Sequence, residues 1–539
     1  MSNKRQSFME GALVLIVAGL LVKIIGAVFK IPLYNVLGSR AMGYFSTAYE
    51  VYVAAYVVTT AGLPVAISRL VSESNAEGRY SNSKRILYVA FSAFLLLGVV
   101  CCAAMFFGAD WLAGMFKNPN AAPAIRVIAP AILFEIVMSA YRGYYQGCHN
   151  MVPTGISQII VALAKLGGGI VAANYVFGLG LPEERALPLA AAGAVAGVTL
   201  GTLLGAIYLV LRMFFFRSYR PEGLPESATV EPTGALLKKV IVITVPIALG
   251  SMVTSVSNMV DTALIIPRLL VSGEGQTVAE GLYGIYTGMV RTMFNLPSAL
   301  IIPIGVAVIP AIAERFARSK REAVEVMSSA LRLASMMALP AGFGLMFMAQ
   351  PILLLLYRAQ AQDVAVAAPL LSTLGFAVAF VCLVSIANAV LQAVGREKVP
   401  MVTMLTGGLV KIATTYLLVG NPRYGIAGAP VSTILCYTTI MVLNFMVLRR
   451  TIGGFPKLWD LFARPLLCSV VACGAARLVY EAAIRALSSA PATVLGILAA
   501  VILYVILVLV TKTLYRSDVL LLPKGEIIAK LLEKRGWMR

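Results

Sequence analysis

The chain has 539 residues, 60% of them hydrophobic and 13% charged, with a mean hydropathy of +0.88. Soluble globular proteins are about 45–50% apolar and about 25% charged, so this composition excludes a water-soluble enzyme, a disordered chain and a disulfide-stapled domain. The formal charge of +20 suggests nucleic acid as a partner, an idea that the placement of the charges removes. Seven cysteines lie along the chain without a CxxC pair and read as packing residues. A single histidine excludes chemistry that relies on several imidazoles, and no metal or organic cofactor is predicted.

A helix needs about 20 apolar residues to cross the hydrocarbon core. Apolar runs predict fourteen spans, near 9–31, 43–66, 86–107, 124–146, 154–178, 188–213, 240–266, 282–311, 328–356, 365–392, 400–419, 425–448, 463–484 and 491–513. The first is too long for a cleaved signal, and no A-x-A site follows it. With Lys4 and Arg5 in the cytoplasm, that side carries about 28 bases and the other about 7. The outer bases are Arg40, Lys117, Arg185, Arg268, Arg358, Arg423 and Arg485. This bias places both termini inside and brings the bases to anionic lipid, which excludes nucleic acid as a partner. In the tail, Ile527, Ile528, Leu531 and Leu532 share one helical face. They read as an amphipathic helix on the inner leaflet, a solvated basic tail being the other reading.

Two ordered matches expose an internal repeat. Gly43–Glu50 aligns with Gly284–Arg291 at an offset of 241, which also matches Val65–Ile67 with Val306–Val308. Ala162–Leu166 aligns with Gly408–Ile412 at an offset of 246, shared by Gln146 and Gln392. The predicted fold is therefore all-α and polytopic, with two six-helix lobes at 1–215 and 238–450 joined by a cytoplasmic linker at 216–237. An added helix pair occupies 451–515 and a cytoplasmic amphipathic tail 516–539. An even number of spans per lobe relates the lobes by a pseudo-twofold along the membrane normal.

A charge at the bilayer centre costs at least about 2.5–3.5 kcal/mol. Lys30, Arg126, Arg142, Arg332, Arg477 and Glu481 lie near span ends and are expected to snorkel, Arg477 and Glu481 as an i, i+4 pair. Lys23, Glu50, Glu135, Lys165, Asp261, Arg291 and Lys411 lie deeper and are expected to face a cavity or a partner. Glu50 and Arg291 are repeat-equivalent and would pair across the pseudo-axis. Lys165 and Lys411 are equivalent in mid-lobe, and either face a cavity or bond to helix carbonyls. Pro297, Pro303 and Pro310 are expected to break the eighth span, with Gly62 and Pro64 as counterparts in the second, making candidate hinges. Polar spans 1, 2, 7 and 8 around a cleft between lobes suit alternating access.

The stretch GLLVKIIGAVFKIPLYNVLGSRAMGYFSTAYEVYVAAYVVTTAGLPVAISRLVSE, with NLPSALIIPIGVAVIPAIAE at Asn295–Glu314, resembles a branch of the multidrug/oligosaccharidyl-lipid/polysaccharide exporter superfamily. That branch is the one of stage V sporulation protein B and MurJ-like flippases. The resemblance runs over nearly the whole chain and includes two C-terminal helices that twelve-helix drug exporters lack. It implies a flippase in the bacterial plasma membrane that moves an undecaprenyl-pyrophosphate-linked sugar, lipid II first among them, to the outer face for peptidoglycan synthesis. It also implies a monomer working alongside cell-wall synthesis proteins, a cationic cleft for the head group, and a groove by spans 13 and 14 for the polyprenyl tail. Lys23 falls at the family's basic position in the first span, and Arg291 within one residue of that in the eighth. The second basic position of span 1 falls at Phe29 or Lys30, and a span 2 arginine falls near Val57. Asp261 resembles an acid that binds sodium in some members, but span 11 offers Lys411 where an acid would be needed.

A basic cleft suits an anionic head group, whereas an exporter of cationic drugs needs buried acids. Within transport, the alternatives are a flippase for other polysaccharide precursors and a multidrug or ion antiporter. A membrane-embedded glycosyltransferase would need a sizeable outer loop with a catalytic acid, and no DxD, HExxH or Walker sequence appears. Without a nucleotide site, transport must draw on the membrane potential, Na+ or H+.

Overall fold

The computed structural model describes residues 8–215, 231–520, 525–534 and 537–538; within its helices the side chains of 8–17, 23, 253–258, 302–308 and a few others lie outside that description. Every element among the described residues is helical. They fall into two compact units, Met1–Pro267 with Gly275–Gly284, and Arg268–Glu274 with Ile285–Arg539.

In the first unit, α1 (Phe8–Thr60) runs for 53 residues and holds the first predicted span and most of the second with no loop between them. Gly38 alone leaves helical geometry, at φ 71° and ψ −177°, a conformation open to glycine because it has no Cβ. A turn at Ala61–Gly62 precedes α2 (Leu63–Ala76), which carries Pro64 in its first turn, where a missing N–H costs nothing. Then come α3 (Tyr80–Phe107), α4 (Ala109–Met115), α5 (Ala122–Ile128), α6 (Ala131–Gly147), α7 (Val152–Gly178) and α8 (Glu183–Phe215). A Cβ on Gly201 of α8 would lie 2.8 Å from the Val161 carbonyl of α7. In lipid, helices are held by such close backbone approach rather than by apolar burial. The unit closes with α9 (Thr233–Val271) as far as Pro267 and α10 (Gln276–Ile285) as far as Gly284.

In the second unit, a π-helical turn at Tyr286–Val290 leads into α11 (Arg291–Arg318). The helix passes Pro297 and Pro303 unbroken, so the departure from α geometry lies upstream of the prolines where the sequence placed it. A π-turn adds a residue to the helix and shifts the side chains that follow. The order continues with α12 (Lys320–Phe347), α13 (Ala349–Leu356), α14 (Ala361–Ala393), α15 (Lys398–Val419) and α16 (Gly428–Ile452). The added pair, α17 (Arg464–Ala483) and α18 (Ser489–Val510), packs on α12 and α13 through Met348, Ala476, Tyr480 and Ala492. The tail forms α19 (Arg516–Leu520) and α20 (Gly525–Lys534), the helix predicted from its apolar face.

Arg332 does not snorkel. Its Nε lies 3.0 and 3.2 Å from the two oxygens of Asp518, which is fully buried, and its guanidinium covers the Tyr515 ring at 4.3 Å. The tail folds over the arginine and supplies a partner that span-by-span reading could not see. Arg477 and Glu481 form the predicted i, i+4 pair at 2.8 Å.

Twelve helices among the described residues are long and apolar enough to cross a membrane. Predicted spans near 9–31 and 282–311 run through residues whose side chains are partly outside the description.

Candidate functional site

Phe45, Tyr49, Tyr52 and Tyr56 recur at helical spacing and form one face of α1. Their ring centroids follow one another at 5.8, 6.0 and 6.2 Å. Lys165 of α7 caps this ladder: its Nζ lies 4.3 Å from the Tyr49 ring centroid and 5.1 Å from that of Phe29, and it donates to the Tyr49 hydroxyl at 3.2 Å. The aromatic faces, rather than a helix carbonyl, hold this cation, a contact worth up to about 2 kcal/mol when desolvated. Further along the ladder, Glu135 of α6 is 9% exposed and accepts from the Tyr52 hydroxyl at 3.4 Å. Arg142 gives its Nε to Ser157 Oγ at 2.9 Å and a terminal nitrogen to Met138 Sδ at 3.4 Å, so it is tied into the α6–α7 contact instead of snorkelling.

At one end of the same unit, α10 lies against α1 through a reciprocal contact. A Cβ on Gly43 would meet the Glu280 carbonyl at 2.7 Å; one on Gly284 would meet Gly43 N at 2.9 Å and the Ser39 carbonyl closer still. Ser39 and Glu280, like Gly43 and Gly284, are separated by the repeat offset of 241. Residue i touching j′ while j touches i′ is the signature of a twofold axis. Above the glycines, the Glu280 carboxylate accepts from Tyr44 and Gln276, both at 2.7 Å, and Gln276 also donates to the Lys117 carbonyl at 2.7 Å. Sequence reasoning passed over Glu280, although the offset from Ser39 pointed to it.

In the second unit, Arg291 is buried and follows directly on the π-turn. Lys411 is 2% exposed. Thr403 donates to Asn444 Oδ1 at 2.8 Å, and Asn444 Nδ2 to Asn388 Oδ1 at 2.8 Å. Asn388 and Thr403 stand 246 residues after Arg142 and Ser157, so a neutral network replaces the first unit's arginine–serine contact at equivalent positions. Arg268 stacks on Tyr416 at 3.8 Å and donates to its carbonyl at 3.0 Å. An apolar groove of about 360 Å³ opens between α12, α17 and α18, lined by Pro340, Gly344, Met348, Cys473, Ile497 and Tyr504 among others.

The remaining candidates are placed as follows. The side chains of Lys23 and Pro303 lie outside the described residues. Lys30, Glu50, Asp261, Arg291 and Lys411 each engage a neighbouring group. Glu50 and Asp261 belong to the first unit, Arg291 and Lys411 to the second. Gly62 is held against α9, where a Cβ would lie 2.5 Å from the Thr244 carbonyl. Pro64 begins α2, and Pro297 lies within α11.

Residues 8–316, more than half of the chain, match the family described as polysaccharide biosynthesis protein. The chain belongs to that family. Among curated members, it is 25% identical over 537 residues to stage V sporulation protein B of Bacillus subtilis (strain 168), covering 98% of this chain and 99% of the relative. It is 28% identical to the uncharacterized membrane protein YabM of the same organism, over 83% of this chain and 81% of that protein. It is 23% identical to that organism's lipid II flippase MurJ, over 84% of each. Among solved structures, a lipid II flippase MurJ in an inward closed conformation superposes with a TM-score of 0.68 at 15% identity, over 93% of this chain and 98% of that one. An inward-facing multidrug resistance MATE transporter of the MOP superfamily reaches 0.64 at 15% identity, over 82% and 98%. This polysaccharide biosynthesis family member therefore has the MOP transporter fold and is a multi-pass membrane protein. One of these relatives is named a flippase, and the superposed structures are a flippase and a transporter.

Proposed function

We propose that the chain is a flippase for a polyprenyl-pyrophosphate-linked saccharide, lipid II foremost, moved from inner to outer leaflet of a bacterial plasma membrane by alternating access. The observation that carries this reading is the apolar groove of about 360 Å³ against the added pair α17 and α18. It suits a polyprenyl chain, and the MurJ structure extends over more of this chain than the MATE structure by a margin about the size of that helix pair. Lys23 and Lys30 in the first unit and Arg291 in the second are the proposed donors to the pyrophosphate, with Glu50 as a polar neighbour. A pyrophosphate carries at least two negative charges and cannot pass hydrocarbon without such partners. An anionic substrate moving outward is favoured by an inside-negative potential, by about 2.3 kcal/mol per charge per 100 mV. The protein is proposed to act as a monomer in anionic lipid, beside cell-wall synthesis proteins.

The test uses purified protein in liposomes with a fluorescent lipid-linked pyrophosphate saccharide and an external quencher. Protein-dependent exposure of the probe, lost in Arg291→Ala at normal folding and insertion, is the expected result. Movement of a cationic dye but not of the lipid would replace this reading with drug export.

A further inference from the structure

Glu135 is a buried acid that the proposed transport of an anionic lipid leaves unused. It projects from α6 toward the tyrosine ladder of α1, with 9% of its surface exposed. Its Oε1 accepts one long hydrogen bond, 3.4 Å from the Tyr52 hydroxyl, and its buried Oε2 has no hydrogen-bond partner among the described residues. The titratable groups facing it are Tyr52 and Tyr56 of α1 and Arg142 of α6, with Tyr49 next along the ladder and Lys165 of α7 on Tyr49. Among the described residues, α2, α3 and α8, which also pack on α6, bring no further charge to bear on it. Both bases have other acceptors: Arg142 is given to Ser157 and Met138, and Lys165 to Tyr49.

An ionised carboxylate in such a place needs an ion pair or several donors, and this one has a single weak donor. A protonated carboxyl needs far less, because it is neutral and brings its own donor. A hard metal cation would require about six oxygens, and the neighbourhood offers one carboxyl and the tyrosine hydroxyls. Among the described residues no cluster of three or more His, Cys, Asp or Glu is present. We propose that Glu135 is a proton-binding site, which holds a proton in this conformation and releases it to water when a rearrangement of the first unit brings Arg142, Lys165 or water to Oε2. The phenols of Tyr49, Tyr52 and Tyr56, which cover about 10 Å of α1, form part of the path by which that proton reaches the aqueous phase. The site gives the transporter a group through which a proton gradient can act. It rests on the chain being a membrane transporter, whatever that transporter carries.

The test reads the carboxyl directly. Full-length protein in nanodiscs is titrated while infrared difference spectra follow the carbonyl stretch of protonated carboxylic acids, without any substrate. The wild type is expected to show a titrating band that disappears in Glu135→Gln, persists at a shifted frequency in Glu135→Asp, and changes its midpoint in Tyr52→Phe. If Glu135→Gln does not fold, the Asp and Phe variants decide the matter alone. Spectra unchanged by the substitutions, or no titrating carboxyl band in the wild type, would overturn the proposal. Because no lipid is present, this result is independent of the flippase assay: a band without lipid movement removes the substrate reading and leaves the proton site standing.

Discussion

Lys165 and Lys411 occupy equivalent places in the repeat and live in different surroundings. Lys165 is half-buried on the faces of Tyr49 and Phe29, whereas Lys411 is 2% exposed. The same contrast recurs one layer away. Arg142 with Ser157 in the first unit becomes Asn388, Asn444 and Thr403 in the second. The repeat thus preserves where a polar group stands between neighbouring helices while its charge changes freely. In the first unit a cation, an arginine and an acid share one aromatic face; in the second, neutral amides and hydroxyls satisfy one another. Groups that can change charge are concentrated where a proton or an anion could be handled, and the neutral network serves to hold helices together. Neutral hydrogen bonds add stability without the cost of burying a charge.

This contrast can be broken or sharpened by substitution. The largest effect is expected at the second unit's tight ion pair: Asp518→Ala leaves Arg332 buried without its counter-charge and should cost about 3–5 kcal/mol. Thermal unfolding in detergent measures it, and a loss no greater than that of an exposed pair would mean water reaches the arginine. Next, Gly284→Ala and Gly43→Ala each press a methyl group onto facing backbone, for about 1–3 kcal/mol. If the contact is truly twofold, the two should impair transport alike; a harmless Gly43→Ala would show the contact to be one-sided. The lysines come third. Lys165→Met should cost about 0.5–2 kcal/mol, with Lys165→Arg retaining most stability because a cation still covers the rings. Lys411→Met should cost more, since it strands enclosed partners; equal losses would erase the distinction drawn here.

The smallest effect is a pH dependence outside the membrane. Glu231 accepts from Lys239 at 2.6 Å and from Arg79 at 3.0 Å. Those contacts, the Lys239 hydrogen bond foremost, hold its carboxyl below the ordinary value of 4.5. A depressed carboxyl stabilises the fold fully above its unfolded value, and that contribution fades as pH falls through the folded one. The melting temperature of Glu231→Gln should therefore lie below the wild type at neutral pH, by under about 1 kcal/mol in stability. The two curves should converge once pH has fallen below the folded carboxyl's depressed value; a constant gap would assign the loss to packing.

Much was legible in the sequence because a bilayer imposes a one-dimensional rule: apolar length decides what crosses, and Lys and Arg decide which side a loop takes. The helices, the repeat, the added pair and the amphipathic α20 followed from that rule, and the offset of 241 already contained the contact between Gly43 and Gly284. The family resemblance followed from the N-terminal stretch and from Asn295–Glu314. What each buried charge does was decided only by the tertiary structure, because the partner of a charge in lipid comes from another helix at a distance in sequence that no local pattern encodes. Arg332 was read as snorkelling because Asp518 lies 186 residues away. For Lys165 the sequence leaves a cavity and helix carbonyls both open, because Tyr49 lies 116 residues before it. The kink at Gly38 and the π-turn before Arg291 were hidden for the related reason that packing, not propensity, sets where a long apolar helix bends. Prolines in α11 can be accommodated when neighbouring helices satisfy the carbonyls they free, so their spacing marked a place where a break is allowed, and the contacts around Tyr286–Val290 placed the irregular turn one step earlier.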